Sequence, residues 1–220
     1  MSGASSHRRA TAIRVRSSGG TIRRGVEVFV HPAWNNQVET RGGMDFAILK
    51  LDGPITDVGP PPTLYSGRHE RGQRAVMIGA GVHGVAPFGH GYRFGPTHGA
   101  AMTAAENVID QITPYTPAQG EQAEWGNYIT LDLDQPDGTG KNRTGDVQPI
   151  SALEGILAPG DSGGSLWAEF DGEWRIVGVS SSGDPGADYQ DVSHFARVTT
   201  VKGWIRSVFP NARFAGGKLD

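Results

Sequence analysis

The chain of 220 residues contains no cysteine, so no disulfide can hold it together. It also lacks the run of about 18 consecutive apolar residues that a membrane-spanning helix requires. Its formal net charge is only −3, and nothing in such a balance suggests a nucleic-acid footprint. The sequence therefore predicts neither a cross-linked scaffold, nor a membrane span, nor a nucleic-acid partner.

Glycine and proline are the residues that the chain has in excess. The 33 glycines and 14 prolines exceed average usage, whereas the aromatic fraction is an ordinary 8%. This composition favours short strands joined by many turns over a helical bundle. An all-β fold is therefore expected, as one domain or two fused small barrels.

Alternation with a period of two predicts individual strands. Ile13 and Val15 alternate with arginines, and Val26, Val28 and Val30 alternate with other residues in the next segment. Each segment presents one apolar face, as a half-buried strand does. Both are predicted to belong to the first part of a sheet.

The later part of the chain carries further signals of the same kind. Residues 127–134 alternate as a strand, and Asp171-Gly172 is typical of a tight hairpin. The proline-rich stretch 57–62 cannot join a central strand and is predicted to cross between two barrels. A last helix is expected from Thr199 or Thr200 as cap to Phe209.

The segment Gly160-Asp161-Ser162-Gly163-Gly164 places a serine among glycines. Glycines let the backbone turn tightly, leave the Ser162 hydroxyl accessible and allow consecutive amides to point at one spot. This pattern favours a nucleophile loop for acyl transfer. A plain turn is the alternative that the segment alone leaves open.

An acid stands at the start of a nearly continuous apolar strand, where Asp45 precedes Phe46-Ala47-Ile48-Leu49-Lys50-Leu51. A carboxylate in this position is poorly solvated and tends to need a partner. Orienting a histidine is one role that such an acid performs.

With these two blocks, four others make the chain resemble the trypsin-like (chymotrypsin-fold) serine proteases. The family pattern has a histidine segment, then His-Pro-x-x-Asn and Asp-Ile-Ala-Leu-Leu-Lys-Leu, then Gly-Asp-Ser-Gly-Gly, and the last two of these three blocks are present in the right order. The resemblance covers the chain from about residue 12 to about residue 208. The absence of cysteine is typical of bacterial members. The four further blocks are His31-Pro32-Ala33-Trp34-Asn35, Val76-Met77-Ile78-Gly79-Ala80-Gly81, Ile176-Val177-Gly178-Val179-Ser180-Ser181-Ser182-Gly183 and Phe195-Ala196-Arg197-Val198.

The resemblance implies two six-stranded antiparallel Greek-key barrels, the first of them incomplete, followed by a C-terminal helix. The implied peptidase domain spans residues 1–210, before a tail over 210–220. Residues 100–112 fit helical spacing, but the family has a strand there and a strand is expected. The parts of the domain are a partial N-terminal barrel (1–57), the crossing (58–71), the C-terminal barrel (72–198) and the helix (199–209).

The resemblance also implies the chemistry. Ser162 would attack the scissile carbonyl, Asp45 would orient a histidine, and the amides of Gly160 and Ser162 would bind the oxyanion. Asp161 would receive the N-terminal ammonium that zymogen cleavage releases. Because the pocket floor carries no charge, small to medium uncharged side chains are expected before the cut. The implied pocket residues are Ile156, Ser181, Ser182, Gly183 and Ser193.

The general base is the difficulty, because the serine needs an imidazole to take its proton. The chain has seven histidines but no Thr-Ala-Ala-His-Cys-like block. His31 occupies the structural His-Pro position, and His194 aligns with the pocket wall. Only His7 precedes the first strand, and it is the candidate base, with a disordered tail as the alternative reading. The other histidines follow Asp45 in glycine-rich loops: His69, His83, His90 and His98.

About a dozen residues precede Ile13, whereas the family needs a longer stretch that supplies the mature N-terminus and the catalytic histidine. We therefore expect the coding sequence to begin upstream of Met1, with a signal peptide and a strand ending in histidine. The chain as written is then expected to be almost inactive. Secretion or export to the periplasm is expected from the resemblance.

Two cofactor-like motifs carry less weight. Residues 79–84 match a dinucleotide fingerprint, but Pro87 and the glycines after it leave no helix to hold a pyrophosphate. Residues 132–138 resemble a calcium loop with an extra residue, a proline, and Arg143 in place of the glutamate ligand. No cofactor and no metal ion are predicted.

Two functions stay open on the sequence. The first is a monomeric serine endopeptidase that acts on a protein or peptide substrate. The second is a catalytically inactive homologue that serves as a protein-binding module. Asp45, Ser162 and the glycine frame favour the first, because a binding module has no need of all three.

Overall fold

The computed structural model describes residues 6–10, 12–34, 44–86, 102–113, 126–140, 143–145 and 147–217, and of residues 6–9 it describes the backbone alone. The protein is mostly β, as expected, with one short helix near the C-terminal end of the described ranges. In these ranges no helix has the length and apolar character needed to cross a membrane.

A first, four-stranded sheet is built around one long strand, β3. Strands β1 and β2 pair antiparallel with the two halves of β3 along one edge, and β4 pairs antiparallel with its other edge. The alternating segments around Ile13 and Val28 are therefore confirmed as strands. The strands are β1 Ser6–Arg9, β2 Arg14–Arg16, β3 Ile22–Val30 and β4 Ala47–Leu51.

A second, nine-stranded sheet contains the rest of the strands. Its main path runs β7-β6-β10-β11-β12-β9-β8, with every pair antiparallel, while β5 joins β11 and β13 in parallel. The strands are β5 Thr63–Tyr65, β6 Arg74–Gly79, β7 Thr103–Val108, β8 Gln111–Thr113, β9 Tyr128–Asp132, β10 Ser165–Phe170, β11 Glu173–Gly183, β12 Val192–Arg197 and β13 Phe214–Ala215.

This second sheet curls into a half-barrel. Its two ends, β7 and β8, are separated along the chain only by Ile109 and Asp110, so the end of the path returns towards its beginning. Apolar side chains from its strands fill the inside, among them Ile129, Leu166 and Phe195, all fully buried. The strand expected over residues 100–112 is present as β7, and the helical spacing there carries no helix.

Curling changes the environment of β9, where all five residues are buried. Alternation predicted the apolar face of this strand, whereas Thr130 and Asp132 on the other face are also 2% and 3% exposed. The polar face is therefore an interior surface, and its groups must find hydrogen-bond partners within the protein.

The hairpin predicted at Asp171-Gly172 is confirmed. These two residues connect β10 to β11, and both have positive φ, 56° for Asp171 and 76° for Gly172. Two-residue loops with positive φ at both positions match the right-handed twist of the flanking strands.

The predicted C-terminal helix is present as a 3₁₀ turn, Val198–Val201, followed by α1, Lys202–Val208. The cap assigned to Thr199 or Thr200 is wrong, because the Thr200 hydroxyl donates to the Arg197 carbonyl, 2.6 Å away, and α1 starts after it. Val201 and Ile205 pack with Phe46 and Ala196 in one cluster. The helix thus joins the first sheet to the second beside Asp45.

A buried ion pair joins Arg197, the last residue of β12, to Glu70, which lies between β5 and β6. Arg197 donates from Nε to Glu70 Oε1 over 2.7 Å and from Nη2 to Oε2 over 2.8 Å. Both side chains are almost fully buried, and Arg197 also donates to the Gly126 carbonyl. A two-pronged contact of this kind is among the stronger hydrogen-bonded charge pairs in proteins.

Candidate active site

The serine loop, residues 158–164, has most of its backbone amides engaged in hydrogen bonds within the loop or to β11. The Gly163 and Gly164 amides donate to the carbonyls of Ser180 and Asp161, and the Asp161 amide donates to the Ala158 carbonyl. The Ala158 amide donates to the Asp161 carboxylate, and Pro159 has no N–H. The two remaining amides, of Gly160 and Ser162, have no acceptor among the residues that the structure describes.

Glycine makes this loop conformation accessible. Gly160 and Gly163 have φ of 98° and 82°, in the region that side chains disfavour. Ser162 between them is exposed, and its hydroxyl forms no hydrogen bond with the described side chains or backbone. The loop therefore presents one accessible hydroxyl and two unused amide donors within three residues.

Asp45 lies two residues before β4, between Met44 and Phe46, which pack into the cluster around α1. The Ser181 hydroxyl donates to Asp45 Oδ2 over 2.8 Å. Its neighbour Ser180 accepts from the Gly163 amide through its carbonyl. Adjacent residues of β11 thus hold both Asp45 and the loop that carries Ser162.

The contact with Asp45 gives Ser181 a role that the sequence did not predict. Sequence reasoning placed Ser181 only in the pocket wall. The signal available in the sequence was the serine run after β11's apolar segment, where neighbours point to opposite faces of the strand. That signal identifies two faces but not the partner, which is 136 residues away.

A cavity of about 150 Å³ lies beside Ser162. Three of the implied pocket residues, Ser181, Ser182 and Gly183, line it, and Asp184 contributes a carboxylate. That carboxylate accepts from the Val192 amide over 3.0 Å and pairs with the Arg143 guanidinium. Asp184 therefore has a cationic partner.

The other two implied pocket residues lie elsewhere. Ile156 packs against the core of the second sheet and lines a larger cavity of about 870 Å³ behind the serine loop. Ser193 is fully buried, and its hydroxyl accepts from the Leu157 amide over 2.9 Å. Neither lines the cavity beside Ser162.

The chain matches no model of a known protein family. The resemblance to trypsin-like proteases consequently depends on the sequence motifs alone. The chemistry of the site is inferred from the geometry of the serine loop and from the contact with Asp45.

Three of the four histidines whose side chains are described contact other groups, and the fourth is exposed. His31 accepts from the Ala33 amide, packs edge-on to Trp204, and has its pKa lowered by burial. His194 contacts the Thr130 hydroxyl and likewise has its pKa lowered by burial. His83 contacts the Thr103 hydroxyl, and His69 is exposed. None of these four imidazoles bonds to Asp45 or Ser162; His90, His98 and the His7 side chain lie outside the described part.

The backbone of His7 is described, and the strand register locates it. His7 lies opposite Phe29, which lies opposite Ile48 on the far side of β3. β1 begins opposite the end of β3, and so does β4, which Asp45 precedes. His7 and Asp45 therefore belong to the same end of the first sheet, and two strand spacings, about 10 Å, separate His7 from Ile48.

Two buried carboxyl groups, Asp132 of β9 and Asp110 between β7 and β8, meet at Thr144. Thr144 Oγ1 is 3.0 Å from Asp110 Oδ2 and 2.9 Å from Asp132 Oδ1, yet a hydroxyl carries only one proton to donate. The second contact is completed when one carboxyl is protonated and donates to Thr144. Burial, with a smaller contribution from the Asp132 charge, raises the pKa of Asp110 to about 7.

This pair also positions the residue that neutralises the pocket acid. The amides of Arg143 and Thr144 donate to Asp132 Oδ2 over 3.0 and 3.1 Å. The Arg143 side chain then reaches Asp184 in the cavity beside Ser162. In the described ranges, no group of three or more His, Asp or Glu side chains is arranged to hold a metal ion.

Proposed function

We propose that the protein is a trypsin-like serine endopeptidase that cleaves peptide bonds through an acyl-enzyme on Ser162. The observation that supports this most is the pair of unused amides, Gly160 and Ser162, next to an accessible serine hydroxyl. Preorganised donors of this kind stabilise the negative charge that develops on a carbonyl oxygen under attack. By the same resemblance we propose a secreted or periplasmic monomer acting on protein or peptide substrates.

The finer architecture that goes with this function is a pair of six-stranded Greek-key barrels. The return of the second sheet from β8 to β7 supports the second barrel. The four strands around β3 support part of the first one.

In the proposed reaction the Ser162 hydroxyl oxygen attacks the scissile carbonyl carbon while an imidazole takes its proton. The oxyanion accepts from the amides of Gly160 and Ser162. Collapse of the tetrahedral intermediate expels the amine, which receives the proton from the imidazole, and water then hydrolyses the ester. Asp45, held by the Ser181 hydroxyl, orients the imidazole.

We assign the imidazole to His7. None of the four histidines with described side chains bonds to Asp45 or Ser162, whereas the register of β1 brings the His7 backbone to the Asp45 end of the first sheet. This assignment departs from the expectation of a histidine upstream of Met1, and the His7→Ala variant tests it.

Labelling by a fluorophosphonate probe tests the nucleophile and the base together. We expect the wild-type chain to be labelled, with the adduct mapped to Ser162 by mass spectrometry, because the probe reacts only with an activated serine. Ser162→Ala should abolish labelling. His7→Ala should lower its rate by at least about a hundredfold, since general-base catalysis contributes about 10²–10⁴-fold. Ser207→Ala, on the exposed face of α1, is the matched control.

Absence of labelling in the wild-type chain would contradict the endopeptidase and favour the second candidate, an inactive homologue that binds protein. The observation that favours an inactive homologue is that no described imidazole forms a hydrogen bond with Asp45 or Ser162. Labelling that His7→Ala leaves unchanged would keep the nucleophile and overturn the base.

The pocket geometry predicts the preferred residue before the cut. Asp184 is paired with Arg143, and the Asp161 carboxylate already accepts from two backbone amides, so both acids that line the cavity are engaged. The small volume of the cavity admits small to medium uncharged side chains. A peptide-library profile should show this preference. In Arg143→Gln the carboxylate loses its partner, and cleavage after Lys and Arg should increase relative to wild type. A wild-type profile dominated by Lys or Arg would contradict the prediction.

A further inference from the structure

We propose that Asp161 holds the serine loop in its working shape through backbone amides, so that no N-terminal ammonium is required. The residues involved, Gly79, Gly81, Ala158 and Asp161, are called the Asp161 anchor below. The loop geometry stands by itself; its catalytic meaning rests on the endopeptidase function proposed above.

Both oxygens of the Asp161 carboxylate are already hydrogen-bonded. The Gly81 amide donates to Oδ1 over 2.8 Å, and the Ala158 amide donates to Oδ2 over 2.9 Å. Hydrogen bonds from N–H groups to a carboxylate are stronger than bonds between neutral groups. The negative charge is therefore stabilised by the end of β6 on one side and by the loop itself on the other.

The two glycines at the end of β6 make this close approach possible. A Cβ at Gly79 would overlap the Asp161 carboxylate, and a Cβ at Gly81 would lie 2.7 Å from its Oδ1. The Gly-Ala-Gly pattern, which resembles a dinucleotide fingerprint in the sequence, thus serves contact with a carboxylate. Residues 80–86, the described part directly after β6, form no helix that would hold a pyrophosphate.

A third contact extends the anchor to the residue before Gly160. The Val82 amide donates to the Pro159 carbonyl over 2.9 Å. Residues 81 and 82 therefore hold the loop at Asp161 and at Pro159, on either side of Gly160. The unused Gly160 amide lies between these two fixed points, which makes Gly79 and Gly81 positioning residues for the proposed oxyanion site.

This arrangement replaces the role that the resemblance implies for a new N-terminus. In that scheme an α-ammonium pairs with Asp161 and shapes the oxyanion site. Here two amides and a backbone contact supply that support from within the chain. Asp161 also lines the cavity of about 870 Å³ behind the loop, so an added amine has a route to it and its effect can be measured.

The experiment uses the wild-type chain and the dipeptide Ile-Val as an α-ammonium probe. Two readouts are followed: the amide signals of Gly160 and Ser162 in a ¹⁵N-labelled sample, and the rate of fluorophosphonate labelling. The dipeptide should change neither. Gly81→Ala should displace both amide signals and lower the labelling rate by about a hundredfold, the loss typical of one oxyanion donor. Gly59→Ala, at a glycine with open space around it, is the matched control.

Asp161→Asn provides a second variant, since it keeps the size of the side chain and removes the charge. The amide signals of Gly160 and Ser162 should be displaced in this variant as well.

Faster labelling or displaced signals on adding Ile-Val to the wild type would overturn the inference, as would unchanged signals in both variants. If the wild type is not labelled with or without the dipeptide, the proposed function fails, whereas the amide signals still decide the anchor.

Discussion

Replacing Glu70 with glutamine is expected to lower the free energy of unfolding by about 3–5 kcal/mol, because it removes one partner of a buried ion pair. Glu70 is fully buried, and both of its oxygens accept from Arg197 at 2.7 and 2.8 Å. Glutamine keeps the shape of the side chain but leaves the positive charge of Arg197 without its counter-charge. Urea unfolding of the two proteins gives the difference directly.

Two further variants separate charge from general disruption. Glu169→Gln, at an exposed position of β10, should change stability by no more than about 0.5 kcal/mol. The double variant Glu70→Gln with Arg197→Met should recover part of the loss, since no uncompensated charge stays buried. A single variant as stable as wild type would show that this pair contributes nothing to the core.

The second large effect is a loss of stability with rising pH, which comes from Asp110. Its pKa in the folded protein is raised to about 7 from the ordinary 3.8, so the folded state holds a proton that the unfolded state has released. The stabilisation is complete below pH 3.8 and is lost as the pH rises through about 7. Between about pH 5 and about pH 8.5 the contribution of Asp110 to the free energy of unfolding should fall by about 2–3 kcal/mol.

Asp110→Asn should remove this fall, because the titrating group is gone and the amide can donate to Thr144 as a protonated carboxyl does. The opposite trend should remain, because burial lowers the pKa of His31 and His194 and makes their contribution to stability rise with pH. Asp137→Asn, in an exposed turn, should keep the wild-type slope. The window avoids acid, where Asp57 titrates: Ser17 and Thr21 lower its pKa to about 2, so its contribution is lost as pH falls. A difference in stability between the wild type and Asp110→Asn that stays constant across the window would contradict the prediction.

Local features of the fold were predictable from the sequence because they depend on neighbouring residues. The period of two around Val28 predicts β3. Asp171-Gly172 predicts the hairpin between β10 and β11, because that turn requires positive φ at both residues. The burial of Asp132 was not predictable in this way. Alternation identifies an apolar and a polar face, but only the curling of the whole sheet decides that both are interior.

The candidate site shows the same difference between local features, which were predictable, and long-range contacts, which were not. The glycine pattern around Ser162 predicts a loop with free amides, and the structure accounts for every other donor in that loop. The contact of Ser181 with Asp45, and that of Glu70 with Arg197, join residues more than a hundred positions apart. Neither residue type is unusual at its position, so no local rule points to the partner.

The distance along the chain between Asp45 and Ser181 also bears on biosynthesis. A ribosome that has just added Ser162 has not yet made the residue that fixes Asp45, nor the helix that packs against Phe46. A nascent protein with the proposed activity would therefore contain Ser162 before its catalytic groups can assemble. Synthesis of residues 163–208 would set the earliest moment at which the new enzyme can cut its neighbours.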